Sequence, residues 1–168
     1  MGRWHVGIPH LTRATWMAVA LLCVSPPVWG TEFAGQVVGI TDGDTLTVLH
    51  DGVAQRLRLN GIDCPETAQA YGRQAKDAAS ALLYGQLVMV HPHGQDRYGR
   101  ILGDVRLRDG RNVNQELVRD GRCWWYRQYA AGDATLAELE AEARAAHRGL
   151  WADPHPSPPW EWRKLRRP

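Results

Sequence analysis

Two Asp-Gly pairs constrain the fold of this chain more than any other feature of its sequence. Asp42-Gly43 lies between the β-branched and apolar runs 36–40 and 45–50, and Asp51-Gly52 lies between the second run and 55–59. Asp-Gly is a preferred pair in the tight turns of β-hairpins. The run 55–59 also alternates polar and apolar residues, as a half-buried strand does. The pattern predicts an antiparallel meander of three strands.

The rest of the chain carries helical and strand-like patterns. Alanines and leucines at helical spacing predict a helix over about 70–84. Two further strands are predicted at 87–91 and 101–107, and two further helices at 112–120 and 134–147. Together these elements predict an α+β fold: a five-stranded Greek-key OB-fold β-barrel with three α-helices.

The first thirty residues differ from the rest. Arg3 and Arg13 precede an apolar run at 16–24, and two prolines and the small Gly30 follow it. This order is typical of a secretory signal peptide. The alternative, an uncleaved membrane anchor, is disfavoured because the run is short for a bilayer. We therefore expect a secreted or periplasmic protein with a cleaved signal at 1–30.

The remaining chain divides into a folded domain at 31–152 and a proline-rich, basic tail at 153–168, for which no packed structure is expected. Of the 20 basic residues two lie in 1–30, which leaves 18 against 18 acidic residues. The net charge therefore says nothing about a nucleic-acid partner. Outside 1–30, Cys64 and Cys123 are an even pair, which an exported chain can bridge.

Five charged residues form a candidate catalytic set. Asp44 and Asp63 lie in or beside predicted turns, and oxygen ligands without neighbouring histidine favour calcium or magnesium. Glu66 can take a proton from water, and Arg58 and Arg100 are planar forks suited to phosphate. These are the groups that attack of water on a phosphodiester needs. Taken singly, each residue is also compatible with a turn, a solvated strand face or the start of a helix.

The order of the motifs carries a resemblance to a known family. Asp42-Gly43-Asp44-Thr45, Arg58 with 62–66, and 96–100 follow one another at a specific spacing, and the pairs Val113-Asn114 and Leu150-Trp151 extend the match. In these motifs the chain resembles the staphylococcal nuclease (thermonuclease) family over about 35–151.

The resemblance implies a role for each charged residue. Asp44 and Asp63 would ligate calcium, and Cys64 would add its backbone carbonyl at a position where the family commonly has threonine. Glu66 would be the general base or water-orienting group. Arg58 and Arg100 would stabilise the phosphate and the transition state. The implied reaction is hydrolysis of the 5′ P–O bond of DNA or RNA, leaving 3′-phosphate ends.

Substrate contacts are implied at four further positions. Arg97 and Tyr98 would contact a neighbouring phosphate, and Tyr126 and Tyr129 are candidates for stacking on bases. The adjacent pair Trp124-Trp125 is as compatible with packing between barrel and helices as with stacking.

The family fold also implies that Cys64 and Cys123 lie close together. A disulfide between them is our hypothesis, and two buried free thiols are the alternative. We expect a monomer that acts on nucleic acid and has no stable membrane insertion. The competing interpretation is a non-catalytic OB-type module that binds nucleic acid or protein, which the full set of charged residues disfavours.

Overall fold

The computed structural model describes residues 1–2 and 30–166. Five strands form a closed barrel in the order β1-β2-β3-β6-β5, and two short strands, β4 and β7, pair in a second sheet. Strands β3 and β6 are parallel, and the other barrel pairs are antiparallel. The strand bounds are Phe33–Asp42, Thr45–His50, Val53–Leu59, Ile62–Asp63, Leu87–Gln95, Ile101–Arg106 and Trp124–Trp125 for β1 to β7.

Helices surround the barrel. They are α1 (Gly72–Leu83), α2 (Val113–Arg119), α3 (Ala134–Ala145), the short 3₁₀ helix Gly149–Ala152, and α4 (Pro159–Leu165). The predicted α+β class, the five-stranded barrel and the first three helices are confirmed. The fourth helix was not predicted.

The alternation of strand side chains places the first catalytic candidate. In β3, Leu57 and Leu59 point into the barrel and are almost fully buried. Arg58 lies between them and therefore points to the opposite face. It pairs across the sheet with Thr45 at the start of β2. The period of two thus fills the core and sets an arginine beside the β1–β2 turn.

The small sheet holds the second acidic residue. Asp63 of β4 pairs with Trp124 of β7, and the adjacent Cys64 and Cys123 form a disulfide with their Cα atoms 4.1 Å apart. Both cysteines belong to the buried core. The segment that follows Asp63 is therefore fixed covalently to the chain preceding β7.

The loop between Glu66 and α1 is tightly closed. A Cβ placed on Gly72 would lie 1.8 Å from the carbonyl oxygen of Glu66, so only glycine fits there. Gln69 donates from its Nε2 to the carbonyl of Ser157 at 2.6 Å and accepts from the Glu66 N–H at 3.3 Å. The loop thus joins Glu66 to the C-terminal segment.

The prediction that 153–168 lacks packed structure is wrong for the part that the structure describes. Pro159 is buried at the first turn of α4, a position that proline favours. Trp160 stacks on Tyr126 with ring centroids 5.2 Å apart and an interplanar angle of 7°, and its edge meets Trp124 at 5.5 Å. Aromatic packing outweighs the helix-breaking composition before it, and α4 docks against β7.

The predicted signal peptide lies almost entirely outside the described residues. Within residues 30–166, none of the helices is long and apolar enough to cross a bilayer.

Candidate active site

One guanidinium group joins the two predicted metal ligands. Arg58 donates from Nη1 to Asp44 Oδ1 and from Nη2 to Asp63 Oδ1, each at 2.5 Å. Asp44 and Asp63 are only 1% and 0% exposed. The other oxygen of Asp44 accepts the Cys64 N–H at 2.6 Å. The turn after β1, strand β3 and strand β4 therefore bring both carboxylates to one point.

Burial and pairing oppose each other at this point. Burial raises the pKa of Asp44 to about 6, although the positive charge of Arg58 works in the opposite direction. Burial alone would lower the pKa of Arg58, but Asp44 and Asp63 outweigh it and the pKa of Arg58 is raised. The arginine thus stays charged, and Asp44 is a carboxylate that takes up a proton readily.

Glu66 is held by a residue that the sequence reasoning did not select. Arg163 of α4 donates from Nη1 to Glu66 Oε1 at 2.8 Å and to Asp63 Oδ1 at 3.2 Å, and from Nη2 to Asp63 Oδ2 at 2.6 Å. Burial alone would lower the pKa of Arg163, but its hydrogen bonds to Asp63 and Glu66 raise the pKa. Arg163 therefore completes a second guanidinium bridge, from Asp63 to Glu66.

Arg100 reaches the same site from the β5–β6 turn. Its Nη1 donates to Thr45 Oγ1 at 3.3 Å, and that hydroxyl donates to Asp44 Oδ1 at 3.1 Å. Its Nε donates to Asp96 Oδ2 at 2.7 Å. Burial opposes ionisation of Asp96, but hydrogen bonds from the Arg100 N–H, its guanidinium and the Tyr98 N–H hold the pKa below its usual value. Asp96 thus holds Arg100 in contact with Thr45, which in turn donates to Asp44.

The predicted phosphate contacts lie on the outer side of Arg100. Arg97 donates from Nη2 to the Tyr98 hydroxyl at 2.7 Å. The Arg97 and Arg100 guanidinium carbons lie 4.8 and 5.5 Å from the centroid of the Tyr98 ring. Tyr98 is exposed and carries a cation near its ring, so this turn presents positive charge beside the site.

The aromatic candidates separate into packed and exposed residues. Trp124 is buried between Trp151 and Trp160, and the Trp125 Nε1 donates to the Ala130 carbonyl at 2.9 Å. The two tryptophans therefore pack within the protein, which is the first of the two roles considered for them. One face of Tyr126 is covered by Trp160, whereas Tyr129 is 71% exposed. Burial and the charge of Asp63 raise the pKa of Tyr126.

The oxygen donors of this cluster have the chemistry that a hard divalent cation prefers. Asp44 and Asp63 offer carboxylate oxygens, the disulfide removes the Cys64 thiol as a ligand, and Glu66 lies within reach of the same arginine as Asp63. Three carboxylates face two guanidinium groups, so the cluster retains negative charge that calcium would neutralise. Among the described residues, no three acidic, cysteine or histidine side chains are arranged as ligands of one ion. Here the aspartate oxygens face arginines instead.

Fold and site together define a class of protein: an OB-type barrel whose rim brings carboxylates and arginines together in one hydrogen-bonded cluster. A family model described as staphylococcal nuclease homologue matches residues 56–153, which is more than half of the chain. The chain belongs to this family.

Bacterial relatives match over most of their length. An uncharacterized endonuclease of Escherichia coli is 46% identical over 148 residues, which cover 88% of this chain and 96% of the relative. A micrococcal nuclease of Shigella flexneri is 42% identical over 156 residues, covering 88% of this chain and 89% of the relative. An uncharacterized endonuclease of Haemophilus influenzae is 41% identical over 130 residues, covering 77% and 72%.

The structure brings together all the predicted catalytic and metal residues, but it adds Arg163 and Asp96 to them. Asp96 was visible in the motif 96–100, although its orienting role was not inferred. Arg163 lies 100 positions from Asp63, in a basic cluster that the sequence shows without indicating a partner. Pro159-Trp160 just before it was the available signal, because this pair favours a docked helix start.

Proposed function

We propose that this chain is an exported, calcium-dependent endonuclease that hydrolyses the 5′ P–O bond of DNA and/or RNA and leaves 3′-phosphate ends. Membership of the staphylococcal nuclease homologue family supports the proposal, as do relatives named as nucleases over nearly their whole length. The observation that carries it is one continuous network of hydrogen bonds, which links Arg100 through Thr45, Asp44, Arg58, Asp63 and Arg163 to Glu66.

Calcium held by Asp44, Asp63 and the Cys64 carbonyl would supply positive charge to the phosphate oxygens. Arg58 contacts Asp44 directly, and Arg100 reaches the same carboxylate through the Thr45 hydroxyl. Their planar guanidinium groups are suited to the oxygens of a phosphate that replaces these contacts. Charge that develops on these oxygens is stabilised most where water is excluded and the donors are already fixed. Both arginines are fixed by carboxylates, which supports such a role.

Glu66 is the group that can accept a proton. Its side chain is partly exposed, unlike Asp44 and Asp63, so water reaches it. Water loses a proton to Glu66 as its oxygen attacks phosphorus, and the 5′ oxygen leaves with the electrons of the broken bond. That oxygen takes a proton from solvent water, which completes a 5′-hydroxyl and a 3′-phosphate.

The outer surface offers a path for the nucleic acid. Arg97 and Tyr98 continue the positive charge of Arg100 toward solvent, which supports contact with a neighbouring phosphate. Tyr129 is exposed and supports stacking on a base. Tyr126 has one ring face covered by Trp160, and the Tyr129 ring lies 4.9 Å from it in an edge-on arrangement, so Tyr126 is less open to a base than Tyr129.

Export is part of the proposal. It rests on the signal-like composition of 1–30 and gains support from the disulfide, since such bonds persist in oxidising compartments. We infer a secreted or periplasmic monomer.

Nicking of a supercoiled plasmid tests the proposal against the alternative, a non-catalytic binding module. We expect calcium to support cleavage and a calcium chelator to abolish it. Binding of the plasmid without any cleavage in calcium would favour the module. Cleavage that persists in chelator would contradict the metal-assisted mechanism.

A further inference from the structure

The C-terminal helix α4 places a guanidinium group on a predicted calcium ligand. Both oxygens of Asp63 accept hydrogen bonds from Arg163, at 3.2 and 2.6 Å, and Oδ1 also accepts one from Arg58. The carboxylate is 0% exposed. A cation that takes these oxygens must therefore displace hydrogen bonds made by arginine.

The contact is built into the fold. Trp160, three residues before Arg163, stacks on Tyr126 and meets the edge of Trp124. Ser157, which precedes the helix, accepts a hydrogen bond from the buried Gln69. Two anchors on separate parts of the domain therefore set the position of α4 and bring Arg163 to Asp63.

The Arg163 side chain is free to move away from Asp63 toward solvent. This side chain is 35% exposed, and its Nη1 already contacts Glu66, which is partly exposed. The group can leave Asp63 and keep a partner at the solvent side of the site. Arg58 has less freedom, because it is held between two buried carboxylates.

We propose that Arg163 competes with the divalent cation for Asp63, so that α4 sets the metal affinity of the enzyme. This inference rests on the proposed calcium dependence. In the metal-free protein the guanidinium neutralises Asp63, and metal binding exchanges that contact for the cation. Loss of Arg163 removes both the hydrogen bonds to be displaced and a positive charge beside the cation. Removing this arginine therefore strengthens metal binding. A substitution that only damaged the structure would not strengthen it.

Calorimetric titration of the purified protein with calcium chloride, without nucleic acid, tests the inference. We expect Arg163→Gln to bind calcium about tenfold more tightly than the wild type, since hydrogen bonds between charged groups are of that strength. Arg163→Lys keeps the charge but loses the fork, so its affinity should lie between the two. Arg166→Gln is the matched control. It removes the same charge from the end of the same helix, where Arg166 lies over Trp162, and should bind like the wild type.

Loosening the helix gives a second, independent route to the same effect. Trp160→Ala leaves Arg163 in the chain but removes its aromatic anchor, so calcium binding should again become tighter. In the double variant Trp160→Ala/Arg163→Gln we expect no tighter calcium binding than in Arg163→Gln alone. Each change removes the same contact, that between Arg163 and Asp63.

The outcomes separate the two proposals. Equal or weaker calcium affinity in Arg163→Gln, with calcium bound by the wild type, overturns the competition and leaves the calcium-dependent nuclease intact. Failure of both proteins to bind calcium overturns the competition and the calcium dependence together. Equal tightening in Arg166→Gln would reduce the effect to net charge and also overturn it.

Discussion

Single residues at this site are arranged in pairs of opposite charge, and no carboxylate of the network is left without a guanidinium group. Asp44 faces Arg58, Asp63 faces Arg58 and Arg163, and Asp96 faces Arg100. Burial of Asp63 without a partner would carry a large desolvation cost, which its two arginines offset. The same pairs keep the arginines oriented, so the groups that we propose to bind phosphate are fixed before any ligand arrives.

Asp44 gives the site a pH dependence. Its pKa of about 6 in the metal-free protein means that a proton competes with calcium below that pH. We expect calcium affinity, measured calorimetrically, to be constant above about pH 7 and to fall as the pH drops through 6. Asp44→Asn should bind calcium more weakly and lose this pH dependence. Constant wild-type affinity from pH 5 to 7 would contradict the assignment.

Glu66 is expected to act on rate more than on metal binding. Glu66→Gln keeps the shape and an acceptor for Arg163 but cannot accept the proton of water. We expect its cleavage rate with saturating calcium to fall by roughly 10²- to 10⁴-fold, the usual range for a general base. The circular dichroism spectrum and the calcium affinity should stay close to those of the wild type. A cleavage rate within about threefold of the wild-type rate would show that Glu66 does not accept the proton.

At the scale of elements, the disulfide fixes the loop that carries Asp63 and Glu66. Cys64 and Cys123 are separated by 59 positions, so the bridge closes a long loop of the unfolded chain. We expect Cys123→Ser to lower the free energy of unfolding by about 2–4 kcal/mol, measured by urea denaturation without reductant. In reductant, wild type and variant should become nearly equal in stability. Two free thiols at Cys64 and Cys123 in non-reduced peptides would reject the bridge.

The position of Glu66 also depends on the close approach of Gly72, the first residue of α1, to the Glu66 carbonyl. Gly72→Ala sets a Cβ against the Glu66 carbonyl, so the loop must shift and Glu66 with it. We expect a loss of stability of about 1–3 kcal/mol, as for other overpacked sites, together with slower cleavage. Gly132→Ala is the control, since its added Cβ meets nothing within 4 Å. Equal stability and rate of the two variants would show that the loop tolerates the shift.

Sequence patterns predict the strands and helices that are determined by residues close to one another in the chain. The Asp-Gly turns and the alternation in β3 identify the meander, and the alanine stripe identifies α1. Helix α4 was missed because four prolines at 154–159 favour an unpacked tail, whereas Trp160 finds its partner 34 positions away at Tyr126. The role of Arg163 depends on that docking: Pro159-Trp160 indicates a helix start, but nothing near Arg163 in the sequence indicates its partner Asp63.

For the whole molecule, the closed barrel is what brings distant loops together. The β1–β2 turn, the loop after β4 and the β5–β6 turn supply Asp44, Glu66 and Arg100, and α4 closes the same site. Acidic residues and arginines meet here in one cluster, in a chain whose residues 31–168 are formally neutral. We therefore expect recognition of a phosphate to depend on this rim and not on the overall charge.

Single-turnover cleavage of an oligonucleotide in saturating calcium decides whether these loops act on one phosphate. We expect Arg100→Ala to lower the rate constant by roughly 10²- to 10³-fold, the loss typical of one transition-state donor. Arg106→Ala, on the exposed face of β6, should stay within about threefold of the wild type. A wild-type rate constant for Arg100→Ala would contradict the account.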